Sequence, residues 1–316
     1  MRTLRLLLSL LLAVAAGLLA ALSVAGARLD ALVHTPEPLQ EIAGPVVELD
    51  SVQRGLPPAV SGAVRDQIPD LLPAQFEEGI VQLVEGAAAG LLNDDRFTEA
   101  WSDTLEQTRT DWLAKLETAR SDHTQTGSAL PADAATVEMQ IGPIADLGQD
   151  RIVEGLRQIP FGEMAADAVE ENTQQDYRIA LDLNVPDPEV ITPEQVVWLE
   201  DNVRHWPWLA GGAVLTLVLS LLSAPGLQRF TALAAAGISA AAAGIAGRHG
   251  LESMEAVGTT GVAHAVADGL VAGVREYALP DTTLIIMGGG VAVALAVLGM
   301  LIGSARSGTA RPASSR

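Results

Sequence analysis

The stretch Trp206 to Ala224, WPWLAGGAVLTLVLSLLSA, contains no ionisable side chain. After the short connector Pro225 to Gln228 and then Arg229, a second charge-free run extends from Phe230 to Ala246. A helix rises ~1.5 Å per residue, so about twenty apolar residues cross a hydrocarbon core of ~30 Å. The second run is mostly Ala and Gly, but the connector is too short to leave it anywhere except against the first. Working outward, Leu6 to Ala25 follows Arg2 and Arg5, and Thr283 to Ile302 lies towards the other end; neither run is charged. The expected fold is mainly α, a multi-pass membrane protein with four transmembrane helices. A large, mostly helical extracytoplasmic domain, with at most a small two-stranded β element, fills the space between the first two spans.

Composition agrees with a chain of two characters. Hydrophobic residues make up 49% and charged residues 18% of 316, yet the net charge is −20 while mean hydropathy is +0.29. Residues 26–206 hold eleven basic and thirty-four acidic side chains, a net of −23. That excess excludes nucleic acid as a partner, since phosphate binding needs clustered Lys and Arg. Cysteine is absent, which removes disulfides, thiolate metal sites and thiol nucleophiles.

Arginine sets the expected orientation. Arg2, Arg5, Arg229, Arg306, Arg311 and Arg316 flank the apolar runs, and the positive-inside rule places them all in the cytoplasm. Arg204 and Arg248 then lie near outer ends. Both termini are expected inside a plasma membrane. The expected divisions are a 1–25 signal anchor, a 26–205 acidic extracytoplasmic domain, spans two and three over 206–247, an extracytoplasmic amphipathic helix over 248–282, span four over 283–303 and a basic tail over 304–316. Ala25-Gly26-Ala27 also fits a small-residue cleavage site, so a cleaved signal peptide is the alternative for the first run. The length of the apolar segment favours an anchor.

Within 26–205, Pro57-Pro58 opens a short helix to about Leu72, and Phe76, Ile80, Leu83, Val84, Ala87 and Leu91 form one stripe of a second. Asn93-Asp94-Asp95 offers an N-cap for a longer helix. Its buried face is expected to carry Phe97, Trp101, Leu105, Thr108, Trp112 and Leu116. Thr136 to Ile141 alternates like a strand and Ile179 to Leu183 is a second that could pair with it. Gly142-Pro143 introduces a helix through Ile144, Leu147, Ile152 and Leu156. Thr192-Pro193-Glu194 caps a helix running towards Trp206 and feeding into the second span. Trp198, Trp206 and Trp208 are expected at the membrane interface, where an apolar ring with a polar N–H is most at home.

Residues 251–279 read as an amphipathic helix with Val262, Val266, Leu270 and Val274 on one side. Glu252, Glu255, Asp268, Glu276 and Asp281 outnumber Arg248 and Arg275, so anionic lipid attracts it little. It is expected to dock on the extracytoplasmic domain, against the helices that enter the second span. Small residues at Ala236, Ala240, Gly244, Gly299 and Gly303 suit close helix contact, and through it oligomerisation. Gly288-Gly289-Gly290 reads the same way.

Chemistry-bearing motifs are lacking. No Walker loop, dinucleotide fingerprint, HExxH or GxSxG occurs. The five histidines are not at ligand spacing, and Asp182 to Asp187 lacks the glycine and terminal glutamate of an EF-hand loop. His264 and Asp268 share a helix side without a nucleophile. No catalytic, cofactor-binding or metal-binding residue is assigned, and no cofactor is expected.

The order of parts, with Asn93-Asp94-Asp95-Arg96-Phe97-Thr98-Glu99-Ala100-Trp101 in the outer segment, resembles uncharacterised integral membrane proteins of actinobacteria. The chain departs from them after the Trp, where their histidine is replaced by the neighbourhood of Thr108 and Asp111. The resemblance supplies no activity, and no catalytic residue carries over from it. The expected function is a non-enzymatic cell-envelope membrane protein whose extracytoplasmic domain binds or senses a partner. Besides the lipid bilayer, that partner is expected to be another envelope or membrane protein. The alternative is an accessory subunit of an envelope transport or export system. An extracytoplasmic hydrolase is a third reading, lacking an identifiable acid/base pair.

Overall fold

The computed structural model describes residues 2–55, 58, 86, 90–91, 94–127, 129–131, 133–157, 163, 166, 180–182, 192–254 and 261–308. The chain is mainly α, and four of its helices are long and apolar enough to cross a membrane: Thr3–His34, Trp206–Ser223, Gln228–Glu252 and His264–Ile302. It is a multi-pass membrane protein. Its residues form two compact units. A membrane unit comprises Met1–His34, Leu199–Met254 and Arg275–Arg316, and an acidic unit comprises Thr35–Trp198 and Glu255–Val274.

The membrane unit is built from α1 (Arg2–His34), α6 (Trp206–Ser223), α7 (Gln228–Glu252) and the later part of α8 (Gly261–Gly308). Apolar side chains point outward along these helices, among them Leu7, Leu11, Val214, Leu222, Ile238 and Leu298. That arrangement suits lipid, which solvates such surface as water cannot. Because lipid supplies no hydrophobic drive between helices, they associate through close backbone approach and interhelical hydrogen bonds. Both occur. Ser9 and Ser220 are buried and reciprocal: the Ser9 hydroxyl donates to the Ser220 carbonyl at 2.9 Å and the Ser220 hydroxyl to the Ser9 carbonyl at 2.7 Å. A Cβ added at Gly237 would overlap the Gly289 carbonyl, and one at Gly289 the Gly237 carbonyl. Gly17 closes on Ala236 and Ser239, and Gly299 on the Phe230 ring. Ala236, Ala240, Gly244 and Gly299 are therefore used for contacts within the chain.

These pairs fix helix direction. Ser9 meets Ser220 while Gly26 meets Trp206, so α1 and α6 are antiparallel. Gly299 meets Phe230 while Gly244 meets Thr282 and Ile286, so α7 and α8 are antiparallel too. α1 runs parallel to α7, with Ala13 on Ala232 and Gly17 on Ala236 and Ala240.

Three boundaries differ from those expected. α1 continues past residue 25 to His34, because its extra charges are paired. Arg28 contacts Asp281 at 2.7 Å and lies 5.6 Å over the Tyr277 ring, and Trp206 Nε1 donates to Asp30 at 3.3 Å. The helix expected to feed straight into the second span ends at Val203, and α6 begins afresh at Trp206. Pro207 is the reason: it has no N–H to bond the Val203 carbonyl and its ring crowds that carbonyl, yet it fits the first turn of a new helix. The 248–282 segment is not a separate helix. Residues up to Glu252 complete α7, and α8 runs unbroken through Pro280. Next to that proline the Leu279 carbonyl accepts hydrogen bonds from the hydroxyls of Thr282 (2.8 Å) and Thr283 (3.0 Å).

The acidic unit contains α2 (Pro36–Ala43), a 3-10 turn (Gly44–Glu48), helical residues 50–55, α3 (Phe97–Thr126), β1 (Glu138–Gln140), α4 (Gly142–Arg157), β2 (Ala180–Asp182), most of α5 (Pro193–Val203) and the first turns of α8. Its core joins Val46, Val52, Leu91, Phe97, Trp101, Leu105, Met139, Ile144, Leu147 and Val266. The expected face of α3 is buried as read, with Trp112 only part-buried. β1 and β2 pair antiparallel with Glu138 opposite Asp182, the β element anticipated from alternation. α5 starts with a capping box. The Thr192 N–H donates to Gln195 Oε1 at 3.0 Å and the Gln195 N–H to Thr192 Oγ1 at 3.4 Å, satisfying donors the first turn leaves free.

Val266, 1% exposed, shows that the start of α8 docks in this unit. Its cover among the described residues comes from the start of the unit. Gly269 lies against Val46 and Leu49, and Gly273 against Ile42, so α2 and the 3-10 turn cover it. The expected helices over 57–72 and most of the Phe76–Leu91 stripe lie outside the described residues, as do residues 183–187 and the side chains of Ile152, Leu156 and Val262.

Candidate functional site

Among the described residues of the acidic unit, a polar groove lies between α3 and β1. Two physical patterns make it. Along α3, Asp111, Lys115 and Thr118 lie three to four residues apart, so they share a side. Along β1, Glu138 and Gln140 share one face while Met139 turns the other way into the core. The groove encloses about 350 Å³ and is lined by these side chains with Trp112, Ala114 and Thr136.

Local hydrogen bonds hold its walls. The Thr108 hydroxyl accepts the Gln140 N–H at 2.8 Å and donates to the Thr104 carbonyl at 2.7 Å, pinning β1 to α3. Trp112 Nε1 donates to the Ala135 carbonyl at 2.9 Å, which fixes the indole. Lys115, the chain's single lysine, contacts Glu138 at 2.7 Å and reaches Asp133 at 4.0 Å. Two acceptors lack a donor among the described residues: Gln140 Oε1 and Asp111 Oδ2 are buried with no hydrogen-bond partner there. Leaving such a group unmade costs about 1–3 kcal/mol. Gln140 is 7% exposed, so little solvent is available to it.

A second polar cluster is structural. Asp94, expected as an N-cap, does not cap α3 with its side chain; the cap position is Arg96. Its carboxylate instead accepts the Arg96 N–H at 2.9 Å and pairs with Arg151 of α4 at 2.8 Å. Arg96 also reaches Asp150 at 3.0 Å. The backbone N–H of Arg96, then the Arg151 guanidinium, hold the Asp94 carboxyl down to about 2. An unfolded aspartate titrates near ~3.9, so ionised Asp94 stabilises the fold fully above about pH 4, and that contribution fades as pH falls towards 2. In denaturation series across this window, the wild-type midpoint should fall and that of Asp94→Asn should change less. At neutral pH Asp94→Asn should be the less stable. Parallel acid limbs would contradict the assignment. Elsewhere in the unit, burial and then the nearby Asp150 charge push the Asp146 carboxyl up.

The sequence assigned no site residue, so the groove is a feature it missed. Its traces were the lone lysine, Asp111 four residues before it, and the Glu138/Gln140 alternation. His264 and Asp268 are paired at 3.2 Å, and both are exposed. Among the described residues no group of three His, Cys, Asp or Glu could hold a metal ion. Trp198 and Trp208 are exposed, Trp208 by 80%, whereas Trp206 packs on Gly26. No family model matches the chain, and no curated protein or solved structure is similar to it.

Proposed function

We propose that this is a non-enzymatic protein of the cell envelope, spanning the plasma membrane four times, whose acidic unit lies outside and binds or senses a partner. The observation that carries this reading is the direction of the helices. Arg5, Arg229 and Arg306 fall at one end of the membrane unit, given that Ser9 meets Ser220 and Gly299 meets Phe230. The residues where the chain leaves this unit, His34, Leu199, Met254 and Arg275, fall at the other end. With the arginines cytoplasmic, the acidic segments are outside, and most of the chain available for recognition is there. Trp198 and Trp208 then serve as interface anchors.

Reporter fusions after residues 226 and 308 should be cytoplasmic, and those after residues 130 and 254 external. An external reporter at 308 would remove the four-span arrangement. For the partner, a photo-crosslinker at Thr118 in the acidic unit should give a discrete adduct with an envelope or membrane component. Adducts formed only from Leu222, on the outer face of α6, would favour an accessory subunit of a transport or export system instead. That alternative relied on small-residue faces, several of which serve this chain's own helix packing.

A further inference from the structure

We infer that the α3–β1 groove is a binding site for a neutral, hydroxyl-rich ligand the size of one sugar ring. The inference rests on the reading above that the acidic unit faces outward and binds. It names the kind of molecule the groove takes.

The argument starts from the two orphaned acceptors. Gln140 Oε1 and Asp111 Oδ2 are buried and lack donors among the described residues, and both side chains belong to residues that line one cavity. Folding leaves such groups unpaired only at a cost. A ligand that enters the groove and brings a hydrogen-bond donor to each lowers that cost. Charge narrows the class. Asp111, Asp133 and Glu138 outnumber Lys115 around the groove, so an anionic ligand is repelled. Lys115 is already held by Glu138 at 2.7 Å, and that pair presents an acceptor and a donor side by side. A hydroxyl both donates and accepts, so a polyol matches this mixed lining where a simple cation matches only part of it. The Trp112 ring, locked by its bond to Ala135, gives an apolar wall for the C–H face of a sugar. The volume of about 350 Å³ lies near the lower end of the ~300–1,000 Å³ typical of small-molecule sites.

The absence of native cysteine permits a direct test on the full chain. Thr118→Cys, on the groove wall, is placed in membrane vesicles of known sidedness and reacted with a membrane-impermeant maleimide. Glucose, galactose, mannose, N-acetylglucosamine and myo-inositol are the probes, with glucuronate and calcium chloride as controls. At least one neutral probe should slow labelling at millimolar concentration, and glucuronate should be weaker by about tenfold or more. Gln140→Leu and Asp111→Leu in the same background should weaken protection by about tenfold, while the melting temperature stays level or rises. A merely structural role for these residues predicts the reverse, a lower melting temperature and unchanged protection. Failure of every neutral probe, equal protection by glucuronate, or protection by calcium alone each overturns the proposal. Labelling of Cys at 118 only from the cytoplasmic side would instead overturn the outward-facing reading, whatever the probes do.

Discussion

Trp101→Ala should lower the stability of the acidic unit by about 3–5 kcal/mol, the usual range for removing a large aromatic from a core that cannot collapse around the gap. Trp101 is 3% exposed and sits in one cluster with Phe97, Leu105, Met139 and Ile144. Its Nε1 donates to the Ala43 carbonyl at 3.1 Å, tying α3 to the end of α2. The substitution thus removes an aromatic surface and leaves a buried carbonyl without its donor, two losses that add. Trp101→Phe keeps most of the ring and should cost less. Denaturant unfolding of the purified protein followed by far-UV circular dichroism distinguishes the three. Equal stability of wild type and Trp101→Ala would show that this face is not the core.

In the membrane unit the largest effect should come from Gly289→Val. Gly289 and Gly237 face each other so closely that an added Cβ on either would overlap the other's carbonyl, and backbone cannot move aside as a side-chain tip can. Overpacking usually costs ~1–3 kcal/mol; with backbone on both sides the loss should reach or exceed about 3 kcal/mol. The adjacent glycines are internal controls, because a Cβ at Gly288 or Gly290 meets nothing within 4 Å. Gly288→Val and Gly290→Val should therefore leave the bundle nearly as stable as wild type. Thermal unfolding in detergent, with insertion checked by membrane fractionation, gives the ranking. Three equal losses would mean that residue 289 has no special contact.

Elements governed by local pattern were readable in advance. The four apolar helices follow from charge-free length. The buried face of α3 follows from helical spacing, and the pairing of Glu138–Gln140 with Ala180–Asp182 follows from alternation. The Thr192 cap follows from a four-residue rule. What failed were boundaries: charges and Pro280 were read as ends, while Pro207 was read as no break. Arg28, Asp30 and Asp281 do not end or interrupt helices because each finds a partner far along the chain. Pro280 does not end α8, whereas Pro207 does separate α6 from α5. The same residue type gives both outcomes, and the neighbours decide between them.

The groove was hidden for a related reason. Asp111 and Lys115 are an ordinary i,i+4 pair in the sequence. Only the approach of β1 turns Lys115 towards Glu138 and leaves Asp111 Oδ2 and Gln140 Oε1 without partners. Likewise, Gly288, Gly289 and Gly290 are indistinguishable as letters, yet only Gly289 meets the backbone of α7. The amino-acid sequence by itself determined the helical class, the number of apolar helices and the segregation of negative charge, since each depends on composition within one stretch. The tertiary structure alone decided which charges are paired, which glycine is indispensable and which polar atoms are left waiting. Those depend on atoms brought together from residues as far apart as Ser9 and Ser220.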